Sequence, residues 1–215
     1  MAGPRDALAQ PVRTRTGWRS PTHDLASKRK NLQSASATKM TAMARYAAFL
    51  RGVNVGGVNL KMAEVANALE EAGFTDVRTI LASGNVLLES RAGVEAVRKK
   101  AEAALRDAFG YDAWVLAYDI RAIAQISNDF PFEREVEGHH SYVTFVTDEK
   151  VLDELAALAE NAGPDEKIKR GTGVIYWQVP RTGTLDTTIG KTMGKKRYKS
   201  SITTRNLRTV EKVLR

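Results

Sequence analysis

LRGVNVGGVNLKMAEV, Leu50 to Val65, holds the plan of the first half of the chain. Its opening residues complete an apolar run, Arg45 to Leu50, suited to a buried strand. The middle is a glycine-rich loop, Gly52 to Asn59. The end begins a stripe of Met62, Val65, Ala66, Leu69 and Ala72 at helical spacing, which stops at Gly73. Beyond it, Val77–Leu81 and Val86–Leu88 flank Ser83-Gly84-Asn85, a turn that predicts a hairpin. A second stripe, Val94, Val97, Ala101, Ala104, Leu105 and Ala108, predicts a helix ending at Gly110, and Trp114–Tyr118 reads as a closing strand. The order is β-α-β-β-α-β.

After a short helix around Ile120–Ile126 the plan recurs. Tyr142–Val146 reads as a strand, and Val151, Leu152, Leu155, Leu158, Ala159 and Ala162 as a helix halted by Gly163-Pro164. Ile168–Lys169 and Val174–Val179 surround a turn at Gly171-Thr172-Gly173. A basic, helical stretch, Leu185–Arg197, and a terminal helix with Leu207, Val210 and Leu214 complete it. The expected fold is α+β, a tandem of two ferredoxin-like subdomains, 43–119 and 120–215, the second without a legible last strand.

The chain has 215 residues, 43% of them hydrophobic, and no cysteine, which excludes disulfide frameworks, thiolate metal sites and cysteine nucleophiles. No transmembrane or secretory segment is legible, so no membrane partner is expected. The formal charge of +8 is uneven. Residues 1–42 hold eight basic and two acidic groups, residues 181–215 ten and two, and the stretch between carries net negative charge. Prolines 4, 11 and 21 and the polar run Asn31–Lys39 leave residues 1–42 without apolar periodicity, so that segment is expected to stay disordered. A transit-like segment, a basic arm and an over-extended start before Met43 all fit, and we favour the last.

Chemistry concentrates in the loop. Glycines let backbone N–H groups approach a ligand, and Arg51, Asn54, Gly56, Gly57 and Lys61 could together hold an anion. The spacing matches neither the phosphate-loop nor the dinucleotide fingerprint. Ser83 and Asn85 could share the same mouth, although turns select such residues for backbone reasons alone. Thr204, Arg205 and Asn206 are read as opening the terminal helix, where capping explains the threonine and asparagine but not the arginine.

His139-His140, on adjacent strand positions, is a poor metal chelate, and no metal site is expected. Glu133, Glu135 and Glu137 read as a solvated ridge. No nucleophile with an adjacent base can be picked out, so catalytic residues and cofactors stay unassigned. Lys191, Lys195, Lys196, Arg197 and Lys199 could contact nucleic-acid phosphates. A sheet-based RNA module is disfavoured, because Tyr176 and Trp177 must face opposite ways.

Leu50–Val65, Ser83-Gly84-Asn85-Val86 and Thr203-Thr204-Arg205-Asn206, in this order, resemble the bacterial domain of unknown function 1697 over about residues 43–215. The resemblance implies two ferredoxin-like subdomains in a cytoplasmic protein with no assigned activity. Ile80 and Leu207 stand where that family is usually aromatic, which weakens a stacking role. The expectation is a binder of a small phosphorylated or carboxylated ligand. The alternatives are an enzyme acting on a phosphorylated metabolite and a nucleic-acid-associated protein.

Overall fold

The computed structural model describes residues 42–51, 60–110 and 112–215. The expectations for residues 1–41 and for Asn54, Gly56 and Gly57 lie outside these.

Within strand β1 (Ala44–Arg51) the run Tyr46–Leu50 is apolar without interruption because the strand is central and covered on both faces. Tyr46, Ala48 and Leu50 project to one side and Ala47 and Phe49 to the other. Helix α1 (Met62–Glu71), β2 (Thr75–Ile80), β3 (Asn85–Ser90), α2 (Val94–Phe109) and β4 (Trp114–Asp119) follow. The four strands lie in the order β2-β3-β1-β4, every neighbour antiparallel. Both helices cover the Tyr46 face, where Val65, Leu69, Val97, Ala101 and Leu105 meet Val86, Leu88 and Val115. Gly110 ends α2 in the left-handed conformation, φ 66°, as its place after the apolar stripe predicts.

Helix α3 (Ile120–Asn128), capped by the Asp119 carboxylate, leads to the second sheet. Strand β5 (His139–Val146), α4 (Glu149–Ala156), β6 (Lys167–Arg170), β7 (Val174–Pro180), α5 (Thr188–Met193), β8 (Ile202–Asn206) and α6 (Leu207–Val213) complete the chain. Strand order β6-β7-β5-β8 repeats that of the first sheet, again wholly antiparallel.

Two expectations are corrected here. Thr203–Asn206 does not open the terminal helix but belongs to strand β8, the strand that the sequence hid. Ile202, Thr203 and Thr204 are β-branched and pair with Val146, Phe145 and Thr144 of β5, and that pairing outweighs the capping use of a threonine. The cap of α6 is Asn206, whose side chain accepts from the Arg208 N–H at 3.0 Å. The basic stretch Leu185–Arg197 is likewise not one helix. Helix α5 spans only Thr188–Met193, between 3-10 turns at Thr184–Asp186 and Lys196–Tyr198.

A shared apolar layer joins the sheets. Ala47, Phe49, Leu87 and Leu116 of the first meet Val143, Phe145, Val174 and Tyr176 of the second, with Ile123 of α3 and Leu207, Val210 and Val213 of α6. The Phe49 and Phe145 rings lie 4.8 Å apart, and Tyr118 sits 5.0 Å from Phe145. Trp177 belongs to a third core under α4, with Leu152, Leu155 and Tyr198, so it does face away from Tyr176. Among the described residues no helix is long and apolar enough to cross a membrane.

Candidate functional site

The end of β1, the start of β3 and the middle of β8 meet at one edge of the shared layer. The Leu50 N–H donates to the Gly84 carbonyl at 2.7 Å, closing the β2–β3 turn against β1. That turn needs left-handed backbone twice, at Gly84 (φ 72°) and, unusually for a branched residue, at Leu81 (φ 61°). Asn85 is fully buried. Its side-chain NH2 donates to the Ile80 carbonyl at 2.9 Å and to Ser83 Oγ at 3.0 Å.

Asn85 Oδ1 accepts from Arg205 Nε at 2.6 Å, joining residues 120 positions apart. Arg205 Nη2 donates to the Leu50 carbonyl at 2.9 Å, and Nη1 to Thr203 Oγ1 at 3.1 Å and the Thr204 carbonyl at 2.9 Å. The guanidinium also lies 5.3 Å above the Phe49 ring. Burial, and then the charge of Arg51, pull its pKa down to about 10. The Arg51 guanidinium stands 5.6 Å from the Trp114 ring centre, and burial lowers its pKa as well. A hollow of about 290 Å³ is lined by Arg51, Asp112, Trp114, Lys199 and Ser200. A groove of about 510 Å³ along α2 and β4 shares Trp114 and Ser200 with it.

Every acceptor around Arg205 is neutral. Among the described residues, none of the ion pairs involves Arg51, Lys199 or Arg205. Asp112, the carboxylate nearest in the lining, pairs with Arg106 at 3.5 Å. Arg51 and Lys199 thus border the hollow with no ion-pair partner among the described residues, while the Arg205 guanidinium is held by the chain itself.

Of the residues singled out from the sequence, Arg51, Ser83, Asn85 and Arg205 come together. Lys61 does not; its side chain is 81% exposed and pairs with Glu64 at 3.2 Å. Thr204 faces the opposite side of its strand, where its hydroxyl meets Thr144 Oγ1 at 2.7 Å. Asn206 borders a different hollow, with His140 and Arg181. Trp114 and Ser200 carried no functional signal in the sequence. Trp114 is 45% exposed, an unusual placement for the largest side chain at the start of a strand.

The fold is thus an α+β architecture of two four-stranded antiparallel sheets with a cationic site at their seam. Residues 43–176 match the model of a family described as "Protein of unknown function (DUF1697)", more than half of the chain, and the protein belongs to that family. The match ends before β8, so Arg205 lies outside it. A solved structure, the conserved bacterial protein SP0830 from Streptococcus pneumoniae, is similar with a TM-score of 0.66 at 25% identity, covering 80% of this chain and 97% of that one. No curated protein matches.

Proposed function

We propose that this protein binds a small phosphorylated or carboxylated ligand at the seam, with Arg51 and Lys199 as the contacting cations and Arg205 as the fixed charge beneath. The observation that carries this reading is the pairing of two partly buried guanidiniums with no carboxylate bonded to either among the described residues. Like charges in a poorly solvated place repel, and an anion relieves that repulsion. Arg51 directly precedes the glycine-rich loop, so the backbone N–H groups around Asn54, Gly56 and Gly57 belong to the same proposal. On this reading the halves, 43–119 and 120–215, are two ferredoxin-like subdomains in a cytoplasmic protein; their identical strand orders support the duplication.

Binding to nucleic acid through the basic carboxy-terminal region is less favoured, because part of that cluster is already engaged. Arg197 pairs with Glu154 at 3.0 Å and lies 4.5 Å over the Tyr198 ring. Calorimetric titration of the protein with pyrophosphate tests the proposal. Saturable binding is expected, weakened at least about tenfold by Arg51→Ala with the melting temperature little changed. Absence of any heat with pyrophosphate or a short dicarboxylate, alongside salt-sensitive RNA binding, would replace it with the nucleic-acid reading.

A further inference from the structure

We infer that the protein has a second oxyanion site on the other face of β8 at its C-terminal end, where His140, Arg181, Asn206 and Arg208 surround one hollow of about 250 Å³. It shares no lining residue with the Arg51 hollow and does not rest on the reading of that hollow. Strand geometry separates the two. Arg205 and Asn206 are neighbours on β8 and therefore point to opposite faces, Arg205 into the seam and Asn206 toward His140.

Three parts of the chain supply the donors: the start of β5, the residue after β7, and the junction of β8 with α6. Arg181 Nε donates to the His139 carbonyl at 3.3 Å, and among the described residues no ion pair uses its charge. Arg208 meets Glu135 at 3.5 Å with both side chains largely in water, an arrangement that holds little energy. Asn206 spends its carbonyl oxygen on the Arg208 N–H, which leaves its NH2 as a donor.

The other charged groups of the hollow do not cancel these. Arg134 and Glu211 neutralise each other at 2.7 Å, and the His139 ring is tied to the Glu137 carbonyl at 3.1 Å. His140, with the Tyr142 ring against it at 5.7 Å, is held below the ordinary histidine pKa by burial and then by Arg181 and Arg208. The surplus is thus two guanidiniums against one loosely held carboxylate, in a space that admits a phosphate, a sulfate or a short carboxylate.

His140 reports on occupancy. The chain has three histidines, so its ring resonances can be assigned with a His139→Gln variant and followed in the full-length protein. Adding inorganic phosphate at constant ionic strength should shift the His140 signals saturably and raise their titration midpoint, because a bound anion favours the imidazolium. Chloride at the same strength should do neither. The double variant Arg181→Gln/Arg208→Gln should weaken the response at least about tenfold, whereas Arg51→Ala should leave it intact, which separates this site from the seam. A His140 signal indifferent to phosphate, or one that answers chloride equally, overturns the inference even if the double variant fails to fold.

Discussion

Arg205 serves as a structural clamp because its guanidinium divides four hydrogen bonds between the two halves: Asn85 and Leu50 on one side, Thr203 and Thr204 on the other. Removing it strands a buried amide oxygen and a buried carbonyl, each of which costs about 1–3 kcal/mol when left unpaired. Arg205→Ala is therefore expected to lower stability by about 3 kcal/mol, a fall of roughly 6–12 °C in a melt followed by circular dichroism. Arg205→Lys should recover little of that loss, since an ammonium is a point charge and cannot span acceptors in several directions. Arg51→Ala should melt within a few degrees of the parent protein, because Arg51 makes no comparable set of bonds among the described residues. The contrast assigns the two arginines different work although only Arg51 lies within the family match. The sequence singled out both, but a contact across 120 positions leaves no periodic trace, and nothing local says which of them is spent inside the fold.

At the scale of elements, strands β1, β5 and β7, helices α1 and α2 and the first half of the helix expected over Val151–Ala162 were legible because apolar spacing and burial coincide there; α4 ends at Ala156, and a 3-10 turn, Ala157–Asn161, with Ala159 exposed, replaces the rest. Ala108, inside the expected α2 stripe, is exposed, and in that last turn it is Phe109 that packs against the core. Strand β8 escaped because its two threonines and asparagine are also good cap residues, and only pairing with β5 decides between the uses. Asn206 does cap, from the strand end. Asn206→Ala should cost about 1 kcal/mol, read as a shift of the denaturation midpoint without a change of slope. A larger loss is expected from Thr144→Val. Thr144 Oγ1 accepts from the buried Trp177 Nε1 at 2.9 Å and bonds Thr204 Oγ1 at 2.7 Å, so about 1–3 kcal/mol goes with it.

For the whole molecule, the shared layer makes stability dependent on alkaline pH in a specific window. Burial pushes Tyr118 and Tyr176 up to about 12 from an ordinary value of 10. The unfolded chain would release these protons near pH 10 while the folded chain retains them, so their contribution is complete below about pH 10 and is lost as pH rises toward 12. Arg205, drawn down to about 10, acts in the opposite sense over the same range, because the folded chain gives up that proton first. Burial also raises Tyr142 and Tyr198 and lowers Arg51, so four phenols stand against two guanidiniums and the net is a loss. Urea midpoints measured from pH 9 to 11.5 should fall, and Tyr118→Phe should flatten the decline; an unchanged slope in that variant would assign the loss to other groups.

Phe49 and Phe145 touch ring to ring where the sheets meet, with Leu87, Leu116, Val143 and Val174 around them. Shuffling halves between relatives would therefore succeed only when both partners of that aromatic contact, and the arginine that crosses beside it, travel from the same parent. In a chimaera that mixes them, overlapping or missing ring volume at the join would open a void or force the sheets apart, and the hybrid would associate through the oily face left bare.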